Sequence, residues 1–251
     1  MKSNGLSSDT IDHCLMKKQL AIVWLISLAT FAAANPTLNS LQRASDAFKG
    51  QYRLKWAKQQ EHDLDLADLF APLGFSSEKK FAYSIGHNCS ESDATFERRL
   101  EVLDLTDNRV VFEKDYEDNF REDEFHSILD KLGIKSEASV LRRFPFQKDG
   151  DTYSVSVTSI TLETDKENDE QKREYQIHLV SEKKGKKLVA KFQAEEFNGK
   201  AQVQSVVGFF QSPFENRIVI LTEGFGGSLE GCTSIIHKVY GTHLGSGFKK
   251  S

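Results

Sequence analysis

Short β-prone runs separated by turn residues are the feature that most constrains how this 251-residue chain can fold. The clearest run covers residues 153–162, where β-branched or aromatic residues alternate with small polar ones after a turn at 148–151. A charged loop is expected after it, at 164–173. Further runs of this kind lie at residues 73–85, 99–105, 109–112, 175–180, 187–192, 204–210, 217–222 and 233–240. Repeated short strands joined by turns are typical of antiparallel sheets.

Two segments have instead the three- and four-residue spacing of an amphipathic helix. In residues 37–60, apolar residues recur at this spacing after Pro36, which suits a first helical turn. In residues 124–133, apolar residues share one helical face, and Gly133 stands where a C-terminal cap belongs. The sequence therefore predicts a mainly β (α+β) fold of antiparallel sheets, arranged as a sandwich or as partial propeller-like blades, with one inserted helix and an N-terminal helix.

The first 34 residues have the segment order of a secretory leader. Lys17 and Lys18 follow Met16, and an apolar run at 20–34 ends in three alanines before Asn35. We therefore expect a signal peptide at residues 16–34, with the true start at Met16 and residues 1–15 not translated. The alternative is a retained N-terminal anchor, although the run is short for a membrane crossing of roughly 20 residues.

Cleavage of this leader would leave a secreted or periplasmic chain with no transmembrane segment. Its expected parts are a helical extension at 35–63 and a β-rich domain at 64–251. Two cysteines, Cys89 and Cys232, would remain. In an oxidising compartment the simplest expectation is that they form a disulfide, which would stabilise the domain by about 4–5 kcal/mol in the chain-entropy model. Two free thiols are the alternative.

The formal net charge of the chain is −4 at pH 7. Because a surface that binds nucleic acid normally carries a basic surplus, this charge argues against a nucleic-acid partner. The histidines show neither H-x-H nor H-E-x-x-H spacing, so no metal site is predicted from them, and no motif predicts a cofactor. An envelope protein or a small ligand remains the candidate partner.

Several segments together resemble a known family. Residues 74–83 (GFSSEKKFAY) are similar to its G-F-S-x-D-G-x-Y-F-A opening, with Glu78 and Lys79 in place of the D-G turn. Residues 101–105, 129–134, 217–221 and 224–231 resemble its second strand, its helix ending in L-G-I, its closing strand and its G-F-E-G loop, which is longer here. The family is the bacterial "predicted secreted protein" domain of unknown function, and the resemblance covers residues 64–240. It implies export and a β-rich domain, and it implies no activity.

Two segments are candidate binding sites. Residues 224–231 (GFGGSLEG) form a candidate ligand loop, since glycines allow backbone N–H groups to approach a ligand. The glycine-rich positions are Gly224, Phe225, Gly226, Gly227 and Gly231. The alternative is a flexible hairpin loop. Asp115, Glu117 and Asp118 form a weak candidate cation site, because Ca²⁺ prefers oxygen ligands. The alternative is a solvated start of the following helix.

No catalytic motif, such as G-x-S-x-G, is present in the sequence. The sequence therefore favours an exported, non-enzymatic binding or envelope-associated module, with residues 86–95 and 224–231 at its recognition end. One alternative is a periplasmic hydrolase with dispersed catalytic residues, which predicts a deep pocket where a histidine and a carboxylate converge, with a shifted pKa on at least one of them. The other is a structural or assembly factor of the cell envelope, which predicts an exposed apolar patch.

Overall fold

The computed structural model describes residues 69–86, 98–116, 122–135, 140–165, 170–197, 205–227 and 233–250. The predicted leader and N-terminal helix lie outside these residues. The described elements are β1 (Phe70–Phe75), β2 (Lys80–Gly86), β3 (Arg98–Asp104), β4 (Arg109–Tyr116), α1 (Glu122–Lys131), β5 (Phe146–Lys148), β6 (Asp151–Asp165), β7 (Glu170–Ser181), β8 (Gly185–Phe197), β9 (Ser205–Gln211), β10 (Arg217–Gly227) and β11 (Thr233–His243). The predicted mainly β fold with one helix within the β-rich part is confirmed.

The strands form three antiparallel sheets. The first sheet has the order β1-β2-β3-β4, the second has the order β5-β6-β7-β8, and the third has the order β11-β10-β9. We call the third one the central sheet, because it contacts the first sheet with one face and the second sheet with the other. The last sheet in sequence thus lies between the two earlier ones, in a sandwich-like arrangement.

Neighbouring residues of the central sheet point into two different cores. Phe210 and Val219 pack with Phe70 and Phe81 of the first sheet, while Phe209 packs on the opposite side. That second core includes Tyr153 and Leu179 of the second sheet, and Ile218 and Ile220 from β10. A strand that is buried on both faces needs apolar residues at consecutive positions, and this explains the unbroken run at 218–221.

Helix α1 covers the outer face of the first sheet. Phe125 and Leu129 pack on Leu100 and Val102 of β3. The helix ends at Lys131 and is capped by Gly133, whose φ of 64° is a left-handed conformation that glycine adopts without steric cost. The N–H of Gly133 donates to the carbonyl of Asp130, and the N–H of Ile134 donates to that of Leu129, which together make a Schellman cap.

The predicted charged loop at 164–173 is too long. Strand β6 continues to Asp165 and β7 begins at Glu170, so most of this segment belongs to the ladder between the two strands. The reason is that charged side chains cost little in a strand that projects into solvent, as in the cross-strand pair of Glu163 and Lys172. Strands β6 and β7 therefore extend well beyond the part of the second sheet that packs on the central sheet.

Two isoleucines on neighbouring sheets test this description. Ile220 is fully buried in the central sheet, whereas Ile160 in β6 is 56% exposed. We expect Ile220→Ala to lower the free energy of unfolding by about 2–5 kcal/mol, since it leaves a cavity between two sheets. The matched variant Ile160→Ala should lower it by less than about 1 kcal/mol. Urea denaturation measures both values, and equal losses would contradict the burial of the central sheet.

Candidate functional site

The strand ends show which loops share an end of the sandwich. Asn108, in the turn between β3 and β4, donates to the carbonyl of Gly241 and accepts from its N–H. Arg217, at the start of β10, donates to the carbonyl of Leu105. These contacts bring the β3–β4 turn to the end of the central sheet where β10 begins and β11 ends. The end of β2 and the start of β3 therefore lie at the other end, together with the end of β10 and the start of β11.

This arrangement bears on the predicted disulfide. Cys89 and Cys232 lie outside the described residues, so the bond itself stays a prediction. Cys89 follows Gly86, the end of β2, by three residues, and Cys232 immediately precedes Thr233, the start of β11. These strand ends lie at one end of the sandwich, and the pairing of the two cysteines is not tested by their position.

The predicted glycine-rich loop is shorter than expected. Residues 224–227 continue β10, where Gly224 pairs with Ile236 and Gly227 pairs with Thr233. The predicted loop at Gly224, Phe225, Gly226 and Gly227 is therefore a strand that pairs with β11 on one side, and its role as a ligand site stays a prediction. The long β11 opposite them causes the difference, since its pairing extends the hairpin to Gly227. Gly231 lies outside the described residues.

The predicted cation site has only one residue in the described part of the chain. The carboxylate of Asp115 in β4 accepts from Arg99 in β3, with Nε–Oδ1 and Nη2–Oδ2 distances of 2.6 and 3.3 Å. An arginine side chain thus binds both of its oxygens, which disfavours a role as cation ligand. Glu117 and Asp118 lie outside the described residues, and no group of three His, Cys, Asp or Glu side chains within the described residues could hold a metal ion.

A polar row that the sequence analysis did not predict crosses the central sheet. Glu223 in β10 pairs with His237 in β11 on one side and with Ser205 in β9 on the other. Directly opposed residues share a face of the sheet, and His237 contacts the ring of Phe70 in the first sheet, with 6.1 Å between ring centroids. The row therefore lies between the first and central sheets. In the sequence, this row is visible only as a charged or titratable residue in each of two apolar runs, Glu223 in β10 and His237 in β11.

Burial controls the chemistry of this row. Glu223 is fully buried and its Oε1 accepts from the Ser205 hydroxyl at 3.1 Å. His237 is 3% exposed, and neither of its ring nitrogens hydrogen-bonds to a described residue. Burial lowers the pKa of His237 to about 3, so the imidazole is neutral at physiological pH.

The order of the three residues decides what they can do. In a serine nucleophile triad, the histidine lies between the serine and the carboxylate, because it removes the hydroxyl proton. In this row the carboxylate of Glu223 lies between the serine and the histidine. The hydrolase hypothesis requires a histidine close to a carboxylate, and His237 and Glu223 meet that requirement. The histidine is not next to Ser205, however, so it cannot remove the proton of the Ser205 hydroxyl.

A second polar cluster joins the second sheet to residues 244–250. Lys184 Nζ donates to the Tyr153 hydroxyl at 2.5 Å and to the carbonyl of Leu244 at 2.9 Å. Burial alone would raise the pKa of Asp151, but hydrogen bonds from Ser181 Oγ and the Lys183 N–H, with the ammonium of Lys184 nearby, hold it below its usual range. Each of these groups has a hydrogen-bond partner within the fold. We therefore infer that the cluster holds residues 244–250 against β8.

Comparison of the chain with protein-family models, with curated proteins and with solved structures finds no match. In the described part of the chain, no helix is long and apolar enough to span a membrane.

The buried histidine leads to a prediction about pH. The pKa of His237 is about 3 in the folded chain against 6.5 as its ordinary value, so below pH 6.5 the unfolded chain binds a proton that the folded chain does not. The contribution of His237 to stability is complete above pH 6.5, and it falls by about 1.4 kcal/mol for each pH unit down to pH 3.

We therefore expect His237→Phe to remove this part of the acid sensitivity, in urea denaturation at pH 7 and pH 4.5. The matched variant is Val239→Ala in the same strand, which removes buried apolar surface but no titratable group and should therefore keep the acid sensitivity of the unchanged chain. An identical pH dependence in all three proteins would contradict the assignment.

Proposed function

We propose that this chain is an exported, non-enzymatic binding module of the bacterial cell envelope, and that it binds an extended polypeptide segment along the open edge of β6. The leader pattern, the two cysteines and the family resemblance support export. The observation that carries the binding proposal is the open edge itself, which we define as residues 154–161 of β6.

The open edge follows from the unequal lengths of two neighbouring strands. Strand β5 pairs with β6 over a short stretch only, from Lys148 opposite Asp151 to Phe146 opposite Tyr153. Beyond Tyr153, no described strand pairs with the side of β6 that faces away from β7. Strand β9 packs close to the first of these residues, where Val155 and Val206 contact the same core. Its side chains at residues 158–164 are exposed. No described strand pairs with the N–H and C=O groups on this side, and we propose that another extended backbone pairs with them.

The composition of the open edge distinguishes it from the other sheet edges. Residues 154–162 (SVSVTSITL) carry no charge and no proline. Proteins usually protect sheet edges with charged side chains, prolines or covering segments. The other described edges have such features, namely Pro72 in β1, Glu113 in β4, Arg142 bridged to Phe209 of β9, Lys238 in β11 and Lys249 bridged to Lys186 of β8.

Two apolar side chains lie on or next to this edge. Ile160 is 56% exposed and Leu162 is 44% exposed. In strand addition, hydrogen bonds between the two main chains contribute affinity, and side chains along the edge contribute specificity. The backbone groups of residues 154–161 and the side chain of Ile160 can supply both. The row at Ser205, Glu223 and His237 lacks an order suited to nucleophilic catalysis, so among the described residues a binding role has the better support.

A selection of random peptides displayed on phage tests this proposal. We expect the selected peptides to be extended and β-prone, and Ile160→Lys to weaken their binding at least tenfold, or about 1.4 kcal/mol. Val111→Lys is the matched control, because Val111 is also an exposed strand residue, 41% exposed, but lies in β4 of the first sheet. Peptides that bind both variants with the affinity of the unchanged chain would contradict the proposal.

A further inference from the structure

We propose that a cluster of lysines at one edge of the second sheet binds the phosphate groups of an anionic lipid surface. The cluster consists of residues 182–187, which form the turn between β7 and β8 and the start of β8, and of residues 248–250. We call these residues the basic surface. They lie at β8 and not at the open edge of β6, so the inference goes beyond the proposed function and does not depend on it.

Positive charge is concentrated in this small part of the chain. Residues 182–187 and 248–250 contain six lysines and one glutamate, whereas the whole chain has a formal net charge of −4. Four of the lysines are exposed and form no ion pair with a described residue, namely Lys183, Lys186, Lys249 and Lys250. Each basic side chain near a surface of anionic lipid adds to the attraction between protein and membrane. The basic surface therefore has the charge that such a partner requires.

Two of the exposed lysines are held directly opposite each other. Lys186 in β8 and Lys249 form an isolated antiparallel bridge, in which the N–H of each donates to the carbonyl of the other at 2.9 Å. Opposed residues of such a bridge point to the same side of the sheet, and like charges in these positions repel each other. Because no described carboxylate pairs with either lysine, an anion that contacts both would relieve a repulsion that the backbone imposes.

The backbone that presents these lysines is held in place by the fold. A Cβ at Gly185, whose φ is 95°, would collide with the carbonyl oxygen of Lys249, so the turn and the C-terminal segment are in close contact. The ring of Phe248 packs on the core between the second and central sheets. The ammonium groups of Lys184 and Lys187 lie 5.9 and 5.7 Å from the centre of that ring, and each donates to a main-chain carbonyl a few residues before it.

The side chains of the basic surface favour a lipid surface over a nucleic acid. Single strands stack their bases on exposed aromatic rings, whereas Phe248 packs on the core and lies against two lysines. The basic surface contains no arginine, the side chain that usually binds one phosphate through two hydrogen bonds. Leu188 is 50% exposed and follows Lys186 by two residues in β8, so both point to the same side of the sheet. An apolar side chain beside lysines can enter the boundary between headgroups and acyl chains.

The test reverses the charge of one lysine in the bridge. Lys249→Glu places a carboxylate opposite Lys186 and converts a repelling pair into an attracting one, so we expect its thermal midpoint to be no lower than that of the unchanged chain. The matched control is Lys131→Glu in α1, which packs on the first sheet. Lys131 is also exposed, and this variant changes the net charge by the same amount away from the basic surface.

Co-sedimentation with lipid vesicles measures binding. We expect the full chain to bind phosphatidylcholine vesicles that contain about one quarter phosphatidylglycerol more tightly than vesicles of phosphatidylcholine alone. High salt should reduce this difference, because it screens exposed charges. Lys249→Glu should weaken binding to the anionic vesicles at least about tenfold, and Lys131→Glu less than about twofold. All three proteins keep the apolar run at residues 20–34, so its contribution is common to them and is measured with the neutral vesicles.

Three results would overturn the inference. One is equal binding to neutral and anionic vesicles, and another is equal weakening by the two variants, which would assign the effect to the net charge of the whole chain. The third is displacement of the anionic vesicles by inorganic phosphate or by a single-stranded oligonucleotide, which would assign the basic surface to a free anion or to a nucleic acid. Peptide binding at the open edge is measured separately, so either proposal can fail without the other.

Discussion

Burial of the central sheet on both faces is the interaction on which the rest of the structure depends. Phe209 and Phe210 are consecutive in sequence and fully buried in two different cores. Each large apolar side chain buried in this way contributes about 1.5–3 kcal/mol. Among the described strands, those of the first and second sheets contact the central sheet but form no ladder with one another, so their apolar faces are held in place mainly through it.

This arrangement also explains the exposed part of the second sheet. The central sheet is long enough to cover Tyr153, Val155 and Leu179, but β6 continues to Asp165. Near β11, Phe192 stacks on Tyr240 with 6.3 Å between ring centroids and supports the inner side of the projecting strands. On the side of β6, nothing among the described residues does the same. Among the described strands, β6 therefore lacks a pairing partner on this side because it is much longer than its neighbour β5 and extends past the core.

The sequence predicted the local elements better than their arrangement. Hydrophobic alternation and turn residues are local properties, so the hairpin around Asn108 and the helix capped by Gly133 could be predicted. The position of the last sheet between the first two could not, because it depends on contacts such as that of Arg217 with Leu105, far apart in sequence. The row of Ser205, Glu223 and His237 was missed for the same reason, since it depends on strand register across three strands.

The candidate sites follow this pattern. The glycines favoured a loop at Gly224, but pairing with Ile236 places this residue in a strand. The carboxylate of Asp115 accepts a hydrogen bond from Arg99 in the neighbouring strand, a contact that the sequence does not show. The alternation of residues 153–162 was visible in the sequence, whereas the fact that one side of this strand lacks a neighbour follows only from the shortness of β5.

Amide hydrogen exchange followed by mass spectrometry tests the central claim most directly, which is that β6 offers an open edge to a second extended strand. In dilute protein, residues 154–161 should exchange much faster than residues 217–221 of the central sheet. When a peptide selected for binding is added in excess, residues 154–161 should become protected while the central sheet does not change. Protection of residues 154–161 that is already complete without peptide, or that does not change when peptide is added, would contradict the account.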